Sequence, residues 1–243
     1  MALVSGGSRG IGAATVRRLA ADGWDVGFSY HGDGPSAREV EKDAFELGVR
    51  VIGTDVDVTD AVEVTSWLRL TEEELGPVRA LVSCAGITRE QPLARLSEAD
   101  WRTVIDTSLE GVFHLCRAVV FAMMPRRAGR IVTVSSVCGE YDHAPGHADT
   151  LARPGLAGFI RALASQTRRY GISVNAVTPG PGPGARDAAA LMPELPSADL
   201  AETIALRRFG NTADVADLVA SLLSGDASNI TGRVLEIPSA IAL

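Results

Sequence analysis

The first residues whose types and spacing could do chemistry are three glycines near the start of the chain. Gly6, Gly10 and Gly12 lie between a short apolar strand at Leu3-Val4 and an amphipathic helical pattern. Glycines let the backbone turn sharply there, let a diphosphate approach its N–H groups, and let the helix pack closely on the strand. The anion would lie at the positive end of the helix. This context favours a dinucleotide site over a purely structural turn.

A second group of residues could move protons. Tyr141, His143, His147 and Asp149 lie close together in the sequence. The ordinary pKa of imidazole suits acid–base chemistry near neutral pH, Asp149 could orient His147, and Tyr141 could donate a proton directly. Each residue type is nevertheless more typical of a polar loop than of a catalyst.

Asp149 and Arg153 could instead form a structural ion pair on a helix. Their spacing of four residues, with the acid first, is the favourable order for an ion pair on a helix, although an exposed pair adds little stability. Pro154 follows at once and lacks the N–H that a helix interior requires. The sequence therefore predicts that a helix begins late or kinks at this point.

The elements that would position these residues alternate along the chain. Short β-branched or apolar runs are separated by helical patterns, which predicts an α/β fold with a doubly wound (Rossmann) parallel sheet and helices on both faces. Gly23, Gly48 and Gly76 each end a periodic segment, as expected of helix C-termini. We expect one domain over residues 1–243. The predicted strands are Leu3-Val4, Asp25–Tyr30, Arg50–Thr54, Ala80–Ser83, Arg130–Ser135, Ile172–Val177 and Val234–Ile237.

Composition excludes several classes of function. The formal net charge is −7 and the chain has no basic block, so we expect no nucleic-acid or membrane partner. We expect no segment long enough to span a bilayer and predict a cytoplasmic location. Cys84, Cys116 and Cys138 have no C-x-x-C spacing, so neither a disulfide framework nor a metal site is predicted.

Several longer segments carry a family resemblance from end to end. Besides the glycine loop, they are Asp57-Val58 before a helix, Ala85-Gly86 after the fourth strand, Ile131 to Ser136, Val174 to Gly180, Arg208-Phe209-Gly210 and Ile230-Thr231-Gly232. On these residues the chain resembles the short-chain dehydrogenase/reductase family, and within it the β-ketoacyl-[acyl carrier protein] reductases of fatty-acid and polyketide synthesis.

The resemblance implies a nicotinamide cofactor. No acid stands at the end of the second strand, in Ser29-Tyr30-His31, to bind an adenosine ribose hydroxyl, whereas Arg9 could neutralise a 2′-phosphate, so NADP(H) is favoured over NAD(H). Asp33 is too offset to change this preference, and we interpret it as a solvated loop acid. The implied cofactor-binding residues are Gly6, Ser8, Arg9, Gly10, Ile11, Gly12, Asp57, Val58, Ala85 and Gly86.

The catalytic tetrad that the resemblance implies is mostly replaced. The family's serine aligns with Ser136 and is retained. The tyrosine position, thirteen residues on, is Asp149, the lysine position is Arg153, and the asparagine position is Ser108. Further departures on the nicotinamide side are Ser83-Cys84 for an asparagine pair, Gly184 near an expected threonine, and Ser239-Ala240 for a glycine pair.

These replacements oppose the family's reaction. An aspartic acid has a reference pKa of about 3.9, and a nearby arginine lowers it further, so Asp149 has no proton to donate at neutral pH. Its negative charge would also repel a developing alkoxide. We therefore expect lost or weak hydride transfer, with NADP(H) binding that is weakened or lost on the nicotinamide side.

Three functions remain open. The favoured hypothesis is a ketoreductase-like partner subunit of a competent short-chain reductase, because the apolar stretches Trp101–Met124 and Gly155–Arg169 match the family's subunit interface. The second is an active NADPH-dependent ketoreductase with Tyr141, His143 or His147 as an atypical proton donor, acting on an acyl carrier protein-bound or small polyketide substrate. The third is a non-redox cyclase or dehydratase that uses His147 and Asp149.

Overall fold

The computed structural model describes residues 1–87, 93–135, 148–179 and 210–237, and only the backbone of residues 93 and 148–153. Strands and helices alternate along these segments. The strands are β1 (Ala2–Ser5), β2 (Val26–Tyr30), β3 (Val51–Asp55), β4 (Ala80–Ser83), β5 (Gly129–Val134), β6 (Ile172–Pro179) and β7 (Val234–Ile237). The helices are α1 (Gly10–Ala21), α2 (Gly34–Glu46), α3 (Ala61–Leu75), α4 (Glu98–Ile105), α5 (Gly111–Met123), α6 (Ala148–Thr167) and α7 (Thr212–Leu223). A π-helical turn (Asp106–Glu110) joins α4 to α5, and short 3₁₀ turns occupy Leu93–Arg95, Met124–Arg126 and Arg168–Tyr170.

The seven strands form one parallel sheet in the order β3-β2-β1-β4-β5-β6-β7. The order reverses at β1: the chain first builds outward through β2 and β3, then returns to add β4 on the other side. Ligands of such sheets bind outside the carboxyl ends of the strands at this switch point. The predicted doubly wound fold is therefore confirmed, and its switch point is the glycine loop after β1.

Each face of the sheet has its own apolar core. On one face, Trp67 of α3, Leu115 of α5 and Ile160 of α6 are buried against the sheet. On the other face, Leu19 of α1 and Val219 of α7 are buried in the same way. Burying these side chains, at about 25 cal/mol per Å² of apolar surface, is what holds the strand ends in place.

Two predicted strands begin one residue later than expected because their first residues have another role. Asp25 and Arg50 precede β2 and β3, and the Asp25 carboxylate accepts hydrogen bonds from the backbone N–H and the guanidinium of Arg50. The same guanidinium donates to the carbonyls of Glu74 and Leu75 at the end of α3. The hydrogen bond from the Arg50 side chain is the main cause that lowers the pKa of Asp25.

Gly23, Gly48 and Gly76 all adopt positive φ, as the helix-end prediction requires.

The prediction that α6 begins late is wrong. The helix begins at Ala148 and includes Pro154 in its interior. Pro154 is exposed, so the loss of its backbone hydrogen bond falls on the solvent side of the helix. A kink at Pro154 stays a prediction.

The expectation that no segment could span a bilayer is also wrong by length and composition. The continuous helical segment Glu98–Arg126 has 29 residues and is apolar enough for such a span. The sequence interpretation missed it because α4, the π-helical turn and α5 join without a break. The segment packs on the apolar core through Leu115 and Val119, and core helices meet the same criterion, so it is weak evidence for a membrane span.

Candidate cofactor and active site

The loop between β1 and α1 is built so that only glycine fits at its key positions. A Cβ at Gly12 would lie 2.0 Å from the Gly6 carbonyl oxygen, so α1 packs directly on the loop. Gly10 has a φ of +56°, and a Cβ there would meet no atom of the described residues within 4 Å. The loop is therefore closed toward the protein and open toward the space above the sheet, where an anion could approach the backbone.

The N-terminus of α1 is left open in the same way. Its N-cap residue, Arg9, makes no side-chain capping hydrogen bond. By contrast, side chains cap the N-termini of other described helices: Asp33 for α2, Asp60 for α3, Ser97 for α4 and Asn211 for α7. The free N–H groups at the start of α1, with the positive end of its dipole, are suited to a phosphate.

Ser5 holds this loop against the next one and was missed at the sequence level. Its Oγ accepts hydrogen bonds from the backbone N–H groups of Cys84 and Ala85, at 3.2 and 3.1 Å. A Cβ at Gly6 would lie 2.9 Å from the Ala85 nitrogen. The glycine loop and the predicted Ala85-Gly86 segment thus form one surface at the switch point. No sequence signal distinguishes Ser5 from an ordinary strand-end residue.

Two charged residues from different loops, Arg9 in the glycine loop and Asp33 after β2, are paired with each other. Arg9 Nη1 lies 3.7 Å from Asp33 Oδ2, and the Asp33 side chain also accepts a hydrogen bond from the Ser36 N–H at 3.4 Å. Asp33 is therefore a partly exposed loop acid, as interpreted, but it also caps α2 and pairs with Arg9. As the N-cap of α2, it is held in a position where its carboxylate faces the cation that was predicted to bind a 2′-phosphate.

The turn after β3 brings Asp57 and Val58 to the same side of the sheet. The Asp57 carboxylate accepts hydrogen bonds from the N–H and hydroxyl of Thr59, at 2.9 and 2.7 Å. Burial raises the pKa of Asp57, but these two hydrogen bonds and the nearby His31 outweigh burial, so the pKa lies below its ordinary value. Val58 is buried. This turn lies beside the end of β2, because the N–H of Val56 donates to the carbonyl of Tyr30 at 2.9 Å.

Ser108 lies on the other side of β1, in the π-helical turn. Its Oγ is 3.7 Å from the position that a Cβ at Gly86 would take, so it is next to the Ala85-Gly86 segment. The N–H of Gly111 bonds to the carbonyl of Asp106, five residues earlier, which marks the π turn. Such turns are frequent at functional sites. The apolar pattern of this stretch does not distinguish a π turn from an ordinary α-helical turn.

Cys84 is held as a thiol beside this segment. Burial raises the pKa of Cys84 to about 12, and a hydrogen bond with the Thr15 side chain offsets only part of that rise. A thiol with this pKa is a weak nucleophile at neutral pH. Among the described residues, no three His, Cys, Asp or Glu side chains come together as a metal site.

The remaining predicted site residues are described only in part. Asp149 and Arg153 lie in the first two turns of α6, and the structure describes their backbone alone. Ser136, Tyr141, His143 and His147 lie outside the described residues, as do Gly184 and Ser239-Ala240. The structure thus brings together the cofactor loop, the Ala85-Gly86 segment and Ser108, while the catalytic roles of the others stay predictions.

Comparison with known proteins gives one family. The family model described as "Enoyl-(Acyl carrier protein) reductase" matches residues 6–238. The 3-oxoacyl-[acyl-carrier-protein] reductase FabG of Staphylococcus aureus is 37% identical over 237 residues, which cover 97% of this chain and 95% of that protein. FabG of Salmonella typhimurium is 36% identical, with 98% and 95% covered.

Solved structures agree with this assignment. A crystal structure of a variant of the actinorhodin polyketide ketoreductase with NADPH superposes with a TM-score of 0.88 at 30% identity, covering 97% of this chain and 94% of that one. A mutant of a Serratia marcescens short-chain dehydrogenase/reductase also has a TM-score of 0.88, at 28% identity, with 97% and 95% covered. The chain belongs to the short-chain dehydrogenase/reductase family, and within it to the FabG-like ketoreductases.

Proposed function

We propose that this protein binds NADP(H), has lost or weak hydride-transfer activity of its own, and acts as a partner subunit of a competent short-chain reductase. One contrast carries the proposal. Residues 6–12 and the uncapped start of α1 form what we call the cradle, at the carboxyl end of β1, and its geometry suits a diphosphate. By contrast, Ser108, Asp149 and Arg153 occupy the positions of the family's asparagine, tyrosine and lysine.

The described residues fit a dinucleotide. The diphosphate would lie on the open side of the Gly10 turn at the uncapped start of α1, since this is where backbone N–H groups are free. The turn at Asp57 and Val58 would border the adenosine end, and Arg9 would meet a 2′-phosphate. Similarity to a ketoreductase solved with NADPH supports NADP(H) as the cofactor.

The residues at the family's catalytic positions are poorly suited to donating a proton to the substrate. The cofactor supplies a hydride when bound, and the protein must then supply a proton to the carbonyl oxygen. Because α6 begins before position 149, Asp149 and Arg153 lie on a helix, but a carboxylate is deprotonated at neutral pH and cannot donate. Ser108 is shorter than an asparagine and lacks its amide, so it cannot hold a water molecule in the same way.

The outer face of α5 and α6 carries exposed aromatic side chains that could bind another subunit, which is the role we propose for this protein. Phe113 and Phe121 of α5 are exposed, by 45% and 66%, although both are large and apolar. The Phe113 ring meets Phe159 of α6 edge to face at 6.4 Å, and the Arg117 guanidinium lies 6.0 Å from the Phe121 ring centroid. Exposed aromatic and arginine side chains of this kind are typical of protein interfaces. We propose that this face binds another short-chain reductase subunit, either a second copy or a paralogue.

The experiment is co-expression with the FabG-type reductase of the same source, followed by purification through a tag on this chain. We expect the two chains to co-purify and Phe121→Ser to weaken their association at least about tenfold. Phe45→Ser is the matched control, because Phe45 is 72% exposed on α2 and should change nothing. A wild-type chain that associates with no reductase would reject the partner role, and equal association of Phe121→Ser and the Phe45→Ser control would reject this face as the interface.

A second candidate is an active NADPH-dependent ketoreductase with an atypical proton donor. It is favoured by the identity of 37% to a FabG reductase over almost the whole chain. Tyr141, His143 and His147 are the candidate donors. Single changes of each to phenylalanine or alanine test them, since activity that survives all three changes excludes them. An acyl carrier protein-bound or polyketide substrate and a cytoplasmic location stay predictions under both candidates.

A further inference from the structure

One side chain of α5 reaches the turn that follows β3. The ring Nδ1 of His114 lies 3.2 Å from the backbone carbonyl oxygen of Val58, and the side chain of His114 is only 11% exposed. A carbonyl oxygen only accepts hydrogen bonds, so Nδ1 carries the proton and donates it to Val58. This contact joins residues 56 positions apart in the sequence.

The same helix meets Val58 a second time. A Cβ at Gly111 would lie 2.8 Å from Val58 Cγ2, so the Val58 side chain occupies the space that a larger residue at 111 would fill. The other hydrogen bonds of the turn are local: Thr59 donates to Asp57, the Asp57 N–H donates to Glu63, and the Asp60 carboxylate caps α3. Gly111 and His114 thus both tie this turn to α5.

Resting on the proposed NADP(H) binding, we propose that His114 is a positioning residue for the adenine end of the cofactor. It fixes the carbonyl of Val58 and thereby holds the neighbouring N–H groups and the Asp57 carboxylate at the edge of the site. Glu110, whose Oε1 lies 3.8 Å from Nε2 on the opposite side of the ring, is exposed and contributes little.

The geometry of the ring gives a matched pair of variants. The amide nitrogen of an asparagine side chain stands where Nδ1 of histidine stands, whereas that of glutamine stands where Nε2 stands. His114→Asn should therefore keep the donor to Val58, and His114→Gln should lose it at nearly the same size and polarity. His114→Ala removes both nitrogens, and Glu110→Gln tests the other side of the ring.

The experiment measures binding and local structure, with no turnover needed. We expect the dissociation constants of NADPH and of 2′,5′-ADP to rise about fivefold in His114→Ala and His114→Gln, and to stay within about twofold of the wild type in His114→Asn and Glu110→Gln. Without any cofactor, amide hydrogen exchange at residues 57–60 should be faster in the first two variants only.

The outcomes separate this inference from the function on which it rests. If the wild type binds neither NADPH nor 2′,5′-ADP, the proposed function fails, while the exchange rates still test the contact. If the wild type binds both and His114→Gln matches it in affinity and exchange, the positioning role is rejected. If asparagine behaves like alanine, the effect comes from ring packing and the assigned hydrogen bond is wrong.

Discussion

The two ends of the candidate cofactor site, on either side of β1, differ in how much of the family's pattern they keep. Toward β2 and β3, the structure has a fitted glycine turn, an uncapped helix and a turn held by Asp57 and His114. Toward β4 and β5, we propose that Ser83-Cys84 and Ser108 replace the family's polar residues, and α6 carries Asp149 and Arg153. On the proposed function, cofactor binding and proton transfer are separable in this fold, because they depend on residues that follow different strands.

Restoring the family's catalytic residues should have the largest effect, and that effect is on kcat/KM. We expect the triple change Ser108→Asn, Asp149→Tyr and Arg153→Lys to raise kcat/KM for a β-ketoacyl thioester by at least about 10²-fold, since a positioned general acid contributes roughly 10²- to 10⁴-fold. The measurement is NADPH oxidation followed by absorbance. The control combines Asp149→Phe with Ser108→Asn and Arg153→Lys, because phenylalanine has the ring of tyrosine but no hydroxyl proton to donate. Equal rates in the triple variant and this control would contradict the assignment of position 149.

A side chain added in the glycine loop should weaken NADPH binding while the fold is kept. In Gly10→Ala the new Cβ meets no atom within 4 Å in the part of the chain that the structure describes, but it stands in the open side of the cradle. We expect the dissociation constant of NADPH to rise at least about tenfold, while a residue at positive φ costs roughly 1 kcal/mol of stability. Gly23→Ala, with a φ of +83° and equally open space, is the control for strain alone. Unchanged binding in Gly10→Ala would place the diphosphate elsewhere.

The cofactor preference should respond to Asp33. Its carboxylate faces Arg9 and would repel a 2′-phosphate, so Asp33→Asn should tighten NADPH about fivefold and leave NADH nearly unchanged. Asparagine keeps the capping hydrogen bond to Ser36, so α2 is preserved. Asp43→Asn is the control with the same change in net charge, since Asp43 lies on another part of α2 and pairs with Arg17 of α1. An equal gain in the control would show only a general charge effect.

The smallest effect is expected for the stability that Asp57 supplies. Its pKa is lowered in the folded protein, so its contribution is present above the unfolded pKa of about 3.8 and is lost as pH falls through the lower folded pKa. Asp57→Asn should cost less than about 1 kcal/mol at pH 7, and the difference from wild type should vanish in strong acid. Urea unfolding at several pH values measures this. A difference that grows as the pH falls would contradict the sign.

The sequence was sufficient for the fold because alternating strands and helices leave few arrangements, and the glycine spacing located the switch point. It failed where residues distant in the chain meet. Asp33 lies opposite Arg9 because α2 begins there, and His114 reaches Val58 because α3 and α5 pack on one face. The π-helical turn at Ser108 was missed because one additional residue in a helical turn leaves the apolar pattern almost unchanged.

We propose above all that this protein binds NADP(H) and has lost or weak hydride transfer of its own. The most direct measurement is a single sample of purified, folded protein in which NADPH binding is titrated by fluorescence and a β-ketoacyl thioester is then added while absorbance is followed. We predict saturable binding and no oxidation beyond one equivalent. Steady oxidation that is absent from a Ser136→Ala control would contradict the loss of activity, and the absence of binding would contradict the retained cradle.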